Sequence, residues 1–354
     1  MSIAFVPASG TPREIGLAHG RALAVPLRAF LADGLARLNH LTREPLTMPG
    51  LLPSIAAYRA AVGAALPDLA EEVAGLAEGA GISEDEAWLL QLRREIIGYN
   101  QVPTAGDCTT YARTAGPAAA DGAGAGPVLA QTVDLNANLD SHISVLRIAR
   151  TGSPRRSLVL SFAGLLGYLG LNSDGLAIGL NLVTDGQWRP GVSPYLAIRH
   201  LLDTASDVDQ ALKILAGLPL ASSRSLMLCD SERAVYAEIC GNDIRVTEPA
   251  SGRAVHTNHY LHGDFVPFDR QSAADRVSSD LRLAAAEQGL AGLAPDADAE
   301  DHFAVLSRPP VCIADHGDFR VERTVAAAVL FPAAGRLHLR PGDPSRSATR
   351  VFTV

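Results

Sequence analysis

Cys108 is the residue of this chain best suited to covalent chemistry. It stands in the run Gly106-Asp107-Cys108-Thr109-Thr110, between residues typical of a tight turn and two β-branched residues typical of a strand. A thiol in a strained turn can attack the carbonyl before it, which would cut the chain between Asp107 and Cys108. A free α-amino group has a pKa of about 7.7 to 8.0. After such a cut, Cys108 would therefore carry both a nucleophile and a general base.

A second group of candidate residues is formed by His256, His259 and His262, followed by Asp264. Imidazole and carboxylate groups are usual metal ligands, so this run suggests a metal site. In a strand, however, a spacing of three places neighbouring residues on opposite faces, and the three rings would not converge. We therefore predict no metal site, and we interpret His259 as support for its neighbours and His262 as loop surface.

The residues before Cys108 have the pattern of a helical segment. Residues 11–14 (Thr-Pro-Arg-Glu) can cap a helix, and apolar residues then recur at helical spacing to about Leu41. Residues 51–79 and 83–99 show the same periodicity. We expect residues 1–107 to form an α-rich cover, which would become the small chain after cleavage.

The pattern changes to strands after Cys108. Apolar runs are separated by turn clusters such as residues 172–175 (Asn-Ser-Asp-Gly), and a helical stretch over 193–217 is broken near Ser206. A hairpin ("SLMLC" and "AVYAEIC"), a helix over about 271–287 and a closing strand pair ("TVAAAVLF" and "RLHLRP") follow. Helices before, between and after two sets of antiparallel strands predict an α+β protein, in which packed sheets carry helices outside. Residues 108–354 would form the catalytic segment of one integrated domain.

Composition and charge exclude several classes of protein. The chain has 354 residues, 47% of them hydrophobic and 19% charged, as in an ordinary globular protein. A net charge of -8 with scattered basic residues argues against nucleic acid and anionic membrane as partners. The four cysteines form no C-x-x-C pair and are interpreted as small buried residues apart from Cys108. Without a signal peptide or an apolar stretch of roughly 20 residues, we expect a soluble, cytoplasmic protein.

Several ordered motifs resemble one known family. "GDCTTYAR" resembles the processing site of the isopenicillin N acyltransferase family, which belongs to the N-terminal nucleophile hydrolases. "SGTPREIGLAHG" is similar to the opening of that family, and "QTVDLN" to its Q-N-W-D strand. "LGLNSDGLAIGLN" is similar to its N-S-x-G turn and strand, and "RAVHTNHY" to its V-H-T-N-H strand. Each motif is weak alone, but their combination in this order is specific.

The resemblance implies a fold and a set of site residues. The fold would be the four-layer αββα arrangement of N-terminal nucleophile hydrolases. Cys108 matches the nucleophile, and Asp134 matches the acid of the second strand that orients the surroundings of the nucleophile. Asn258 and the backbone N–H of Thr110 match the donors that hold the oxyanion, a task for which a side-chain amide is well suited. Arg323 matches, more loosely, a substrate-anchoring arginine.

These observations predict a self-processing cysteine amidohydrolase or acyltransferase that acts on a small amide or acyl thioester through an acyl-Cys108 intermediate. The residues leave open whether water or an amine acceptor takes the acyl group, whether coenzyme A takes part, and whether whole molecules associate as a homo-oligomer. No cofactor is expected, and the two fragments would stay together. One alternative is a non-cleaving homologue that binds an acyl ligand, with Asp107 blocking the cut. A His-based metallohydrolase is the other.

Overall fold

The computed structural model describes residues 3–98, 108–114, 126–136, 138–185 and 187–354. Asp107 lies outside the described residues, and so does its bond to Cys108. Within the described ranges the α-helices are α1 (Pro12–Ala32), α2 (Met48–Ala65), α3 (Pro67–Ala80), α4 (Glu84–Ile97), α5 (Pro194–Thr204), α6 (Val208–Ala216), α7 (Ala273–Gly292) and α8 (Ala299–Leu306). The strands are β1 (Ala4–Gly10), β2 (Thr109–Arg113), β3 (Val128–Leu135), β4 (Ile143–Arg150), β5 (Arg156–Phe162), β6 (Leu169–Asn172), β7 (Ala177–Asn181), β8 (Arg224–Cys229), β9 (Ala234–Cys240), β10 (Asp243–Thr247), β11 (Arg253–His256), β12 (Arg323–Phe331), β13 (Arg336–Pro341) and β14 (Arg350–Thr353).

The strands form two sheets. One has eight strands in the order β1-β4-β5-β6-β7-β8-β9-β10, and the other has six in the order β11-β2-β3-β12-β13-β14. Neighbouring strands run antiparallel, except that β1 lies parallel to β4. The central strands β2, β7 and β8 are buried along their whole length, because each sheet is covered on both faces there.

The sheets and helices stack in four layers. β2 and β3 contact β7 and β8, so the two sheets pack face to face. On the outer face of the large sheet, α1 contacts β1 and β4, and α5 contacts β5, β6 and β7. On the outer face of the small sheet, α7 contacts β2 and β11, and α8 contacts β3 and β12. This confirms the predicted α+β class with its αββα layers.

Close backbone packing holds α1 against α3. A Cβ added to Gly16 would overlap the carbonyl oxygen of Glu72, and one added to Gly75 would overlap that of Arg13. Glycine at these positions lets the two helix backbones touch. The Thr11–Glu14 capping box fixes where α1 begins, as the sequence predicts.

The helical segment departs from the prediction in two places. The helix expected to reach Leu41 ends at Ala32, because residues 34–37 all have left-handed φ values. The single helix expected over 51–79 is two helices, since Leu66 leaves the helical region and Pro67 opens α3.

Four strands and one helix escaped the sequence patterns, and one of these strands is the short inner strand β6. β1, β10 and β14 are all edge strands, and their side chains are mostly exposed or only partly buried. Such strands lack the apolar alternation on which the predictions rested. The short α8 was also missed. No helix within the described ranges combines the length and apolar character needed to cross a bilayer.

Candidate active site

Cys108 lies immediately before β2, with its side chain 3% exposed. Its Sγ is 3.8 Å from the hydroxyl of Tyr168 and 3.9 Å from the backbone carbonyl oxygen of Asp134. Burial, followed by the charge of the Asp134 carboxylate, raises the pKa of the Cys108 thiol to about 12. The thiol of the intact chain is therefore protonated at neutral pH, and it needs a base before it can attack.

Two donors hold the backbone of Cys108. The side-chain amide of Asn181, at the end of β7, donates to the carbonyl oxygen of Cys108 at 2.9 Å. The guanidinium of Arg282, from α7, donates to the same oxygen at 2.8 Å. Because these donors come from the opposite sheet and from an outer helix, three layers of the fold fix the position of Cys108.

Cys108 opens onto a pocket of about 850 Å³, part of it open to solvent. Asp134 lines the same pocket, together with the aromatic rings of Phe162, Tyr168 and Tyr195. The apolar wall consists of Leu41, Leu90, Ile97, Leu135, Leu139, Leu165, Leu180 and Leu182. Such a lining suits an acyl group or another largely apolar ligand. Its polar and charged members are Gln91, Arg93, Arg94, Asn136, Arg224 and Glu322.

Asp134 occupies the position expected for the acid of the second strand. It lies near the end of β3, fully buried, and the Thr132 hydroxyl donates to its carboxylate at 3.2 Å. The backbone N–H of Thr109 donates to that same hydroxyl at 3.2 Å. This chain of hydrogen bonds connects the carboxylate to the start of β2, beside Cys108.

Asn258 is brought to the same end of β2. β11 pairs with β2 so that His256 lies opposite Thr110, and two residues further this register places Asn258 across from Cys108. The Asn258 amide donates to the carbonyl oxygen of Leu182, a pocket residue, at 3.0 Å. Its backbone N–H donates to the hydroxyl of Ser279 at 2.9 Å. The side-chain oxygen of Asn258 is buried without a hydrogen-bond partner among the described residues.

Thr110 and Arg323 are not brought to the pocket lining. Thr110 lies inside the small sheet, between Gln131 of β3 and His256 of β11. Arg323 donates to the Asp140 carboxylate at 2.8 Å and is mostly buried. The oxyanion role of the Thr110 N–H and the substrate role of Arg323 stay predictions.

The histidine run separates in space. His256 lies 2.9 Å from the Glu238 carboxylate between the sheets, whereas His259 lies 2.8 Å from the Ser279 hydroxyl of α7. His262 is partly exposed on a loop. Across the part of the chain that the structure describes, no three His, Cys, Asp or Glu side chains gather in a way that could hold a metal ion.

Sequence reasoning missed several residues around Cys108. Tyr168 and Asn181 contact Cys108 from the large sheet, and Arg282 contacts it from α7, at separations of 60 to 174 residues. Arg224 lines the pocket and forms an ion pair with buried Glu95, 3.2 Å away. Charged residues beside apolar runs were the available signal for this pair. The contacts of Tyr168 left no signal in the sequence, because they depend on how the two sheets stack.

The chain resembles known acyl-transferring and amide-cleaving proteins. The family model described as acyl-coenzyme A:6-aminopenicillanic acid acyl-transferase matches residues 122–346. The 40 kDa form of acyl-coenzyme A:6-aminopenicillanic-acid-acyltransferase from Emericella nidulans is 27% identical over 263 residues, which are 73% of this chain and 70% of that protein.

Two solved structures are also similar. One is the Caenorhabditis elegans N-acylethanolamine-hydrolyzing acid amidase ortholog, with a TM-score of 0.48, 16% identity and coverage of 70% of this chain and 100% of that one. The other is penicillin V acylase from Agrobacterium tumefaciens, with a TM-score of 0.48, 14% identity and coverage of 70% and 86%.

Proposed function

Because the chain belongs to the acyl-coenzyme A:6-aminopenicillanic acid acyltransferase family, we propose that it is a self-processing cysteine enzyme that cleaves or transfers an acyl group through Cys108. Family membership confirms the resemblance found in the sequence motifs. The matched residues begin after Cys108, however, so the role of this residue depends on the motif around it and on its geometry. The observation that carries the proposal is a buried thiol at the start of a central strand, opening onto an apolar pocket beside Asp134.

Processing would begin with attack of the Cys108 sulfur on the carbonyl carbon of Asp107. A C–S bond forms and the C–N bond to Cys108 breaks, so that the nitrogen leaves as an amine and takes up the thiol proton. Water then opens the thioester, which gives a carboxylate on Asp107 and a free thiol on Cys108. The products are fragments of 107 and 247 residues.

The released amine would supply the base that the buried thiol needs. It takes the proton of the Cys108 thiol as the sulfur attacks the substrate carbonyl, and it returns a proton to the leaving amine or thiol. The Asn258 amide, with the Thr110 N–H as a second candidate, would stabilise the tetrahedral oxygen. Water or an amine acceptor then takes the acyl group from sulfur and frees the enzyme.

The packing supports fragments that stay associated. β1, from the first fragment, pairs along its whole length with β4 of the second. Leu90 and Ile97 of α4 line the same pocket as Cys108, so residues from both sides of the cut build the site. Separation of the fragments would expose the core between them.

Intact mass and amino-terminal sequencing of purified protein test the proposal. Wild type should yield two pieces, one of them beginning at Cys108, and should hydrolyse acyl 4-nitroanilides or acyl thioesters. Cys108→Ala should stay whole and lose this activity. Cys312→Ala is the matched control, since Cys312 is also a buried free cysteine but does not line the pocket. It should be processed and active.

Other outcomes would favour the alternatives. A wild-type chain that stays whole and shows no thiol-dependent activity would contradict the proposal and favour an acyl-ligand-binding protein. Undiminished turnover by Cys108→Ala would also contradict it. Stoichiometric zinc that tracks such turnover would point to the histidine run instead.

A further inference from the structure

Tyr168 places its side-chain hydroxyl beside the sulfur of the proposed nucleophile. It lines the pocket, is 4% exposed, and its oxygen lies 3.8 Å from the Cys108 sulfur. The sulfur is the single hydrogen-bond partner of this hydroxyl among the described residues. A buried hydroxyl of this kind keeps unused capacity to donate to a ligand.

The ring of Tyr168 is held by its aromatic neighbours. It stacks on Tyr195, with ring centroids 5.5 Å apart and planes at 19°, and it meets the edge of Phe162 at 5.0 Å. Such contacts on two sides fix the direction of the C–O bond before any substrate arrives. The hydroxyl is therefore a preorganised donor, which is the property that electrostatic catalysis requires.

The hydroxyl stays protonated. Burial, followed by the nearby Cys108 and Tyr195 side chains, raises the pKa of Tyr168 well above its usual value. It would remain a donor over the whole pH range in which an amine-activated thiol works.

We propose that Tyr168 is a catalytic residue whose hydroxyl donates a hydrogen bond to the oxyanion formed when the Cys108 sulfur attacks a carbonyl. The inference extends the proposed function and rests on it. The oxygen of a tetrahedral adduct lies roughly 2.6 Å from the attacking sulfur, and an oxyanion donor acts from about 2.7 to 3.1 Å. A hydroxyl 3.8 Å from the sulfur can therefore reach that oxygen.

The hydroxyl would act with the Asn258 amide from the other sheet. Asn258 follows β11 of the small sheet, while Tyr168 precedes β6 of the large sheet. The two donors would approach the adduct from different layers, with Cys108 between them. No proton needs to be transferred from Tyr168, because it stabilises the charge by hydrogen bonding alone.

The test compares two reactions of the same sulfur in wild type and Tyr168→Phe. Hydrolysis of an acyl 4-nitroanilide passes through an oxyanion, whereas alkylation of Cys108 by iodoacetamide does not. We expect Tyr168→Phe to lower kcat/KM, normalised to alkylatable Cys108, by about 100- to 1000-fold, the usual loss for one oxyanion donor. The hydroxyl also lowers the pKa of the Cys108 thiol by hydrogen bonding to the sulfur, so alkylation is compared at its limiting rate at high pH, where the sulfur is ionised. That limiting second-order rate should stay within about twofold.

Tyr236→Phe is the matched control, since it removes a buried tyrosine hydroxyl outside the pocket. It should leave both rates unchanged. If Tyr168→Phe is not processed, the same comparison is made on the precursor: slow self-cleavage with normal alkylation supports the inference, because that attack also forms an oxyanion.

Two results would overturn the inference and leave the proposed function intact. One is full anilide activity in Tyr168→Phe while Cys108→Ala is inactive. The other is a parallel fall of anilide hydrolysis and alkylation. It would mean that the hydroxyl acts on the thiol or on the packing of the pocket and not on the oxyanion. Failure of the proposed function is distinguished from both, since it would appear in the wild type as missing processing and missing activity.

Discussion

Two buried polar clusters in this molecule differ in how completely their hydrogen-bonding groups are paired. The Arg199 cluster consists of Glu72, Arg199 and Asp203 in the outer helical layer. Arg199 donates to both oxygens of Glu72, at 2.7 and 2.8 Å, and to Asp203 at 2.9 Å. Every nitrogen of this buried guanidinium has a partner, as stability requires.

The Cys108 cluster, made of Cys108, Tyr168, Asn181 and Asn258, is left incomplete. The side-chain oxygens of Asn181 and Asn258 are buried without a partner among the described residues. The Tyr168 hydroxyl contacts only a weakly bonding sulfur within the same part of the chain. Unsatisfied buried groups cost stability, and under the proposed function these groups would be available to a substrate. The clusters should therefore respond differently to substitution, in stability in one case and in rate in the other.

Breaking the Arg199 cluster should produce the largest loss of stability. Glu72→Leu leaves the Arg199 guanidinium buried with only Asp203 as an ionic partner. We expect the free energy of unfolding to fall by about 3 to 5 kcal/mol, the usual cost of breaking a buried pair. Urea unfolding followed by circular dichroism measures it.

The double variant Glu72→Leu/Arg199→Met is the control. It replaces both charges, so the Arg199 charge that Glu72→Leu leaves uncompensated is also removed. It should recover much of the loss. A single variant as stable as wild type would contradict the structural role of the cluster. The processed fraction that remains folded should keep its kcat.

His19, on α1 close to this cluster, should make the fold sensitive to acid. It is buried, neither ring nitrogen has a partner among the described residues, and burial, followed by the charge of Arg199, lowers the pKa of His19 to about 3. An unfolded histidine has a pKa of about 6.5. The unfolded state therefore binds the proton first, and stability falls as the pH drops from about 6.5 towards 3.

The expected loss is about 1.4 kcal/mol per pH unit below that point, or about 2 kcal/mol between pH 7.5 and 5. His19→Leu should reduce the slope of unfolding free energy against pH by one proton. Urea unfolding at pH 7.5, 6 and 5 checks this. Identical slopes for the two proteins would show that His19 is not held neutral by the fold.

The sequence predicted the layers and the central strands better than it predicted the site. Inner strands such as β8 and β12 carry apolar runs, so their pattern indicated them directly. Cys108, Asp134 and Asn258 were proposed as site residues from motifs, and the structure places all three at one end of β2. Tyr168 and Asn181 could not be assigned roles from the sequence, because their contacts with Cys108 arise only when the two sheets pack face to face.

Two asparagines on neighbouring strands allow the sharpest comparison of rate with stability. Asn181 donates to the carbonyl oxygen of Cys108, while its own side-chain oxygen has no partner among the described residues. Asn172, on β6, donates to Leu202 and Ala205 and accepts two backbone N–H groups, so it is fully used within the fold.

Asn181→Ala should lower kcat by about tenfold, because the backbone that carries the nucleophile loses one of its two donors and misplacement of a reacting group slows the reaction. Its effect on unfolding should be about 1 kcal/mol, the value of one hydrogen bond. Asn172→Ala should show the reverse, with a larger loss in urea unfolding and an unchanged kcat for the folded enzyme. Steady-state anilide hydrolysis and urea unfolding of the same preparations separate the two effects. Equal changes in kcat for both variants would mean that the Cys108 cluster is not specialised for catalysis, since the loss would then follow general loosening of the sheet.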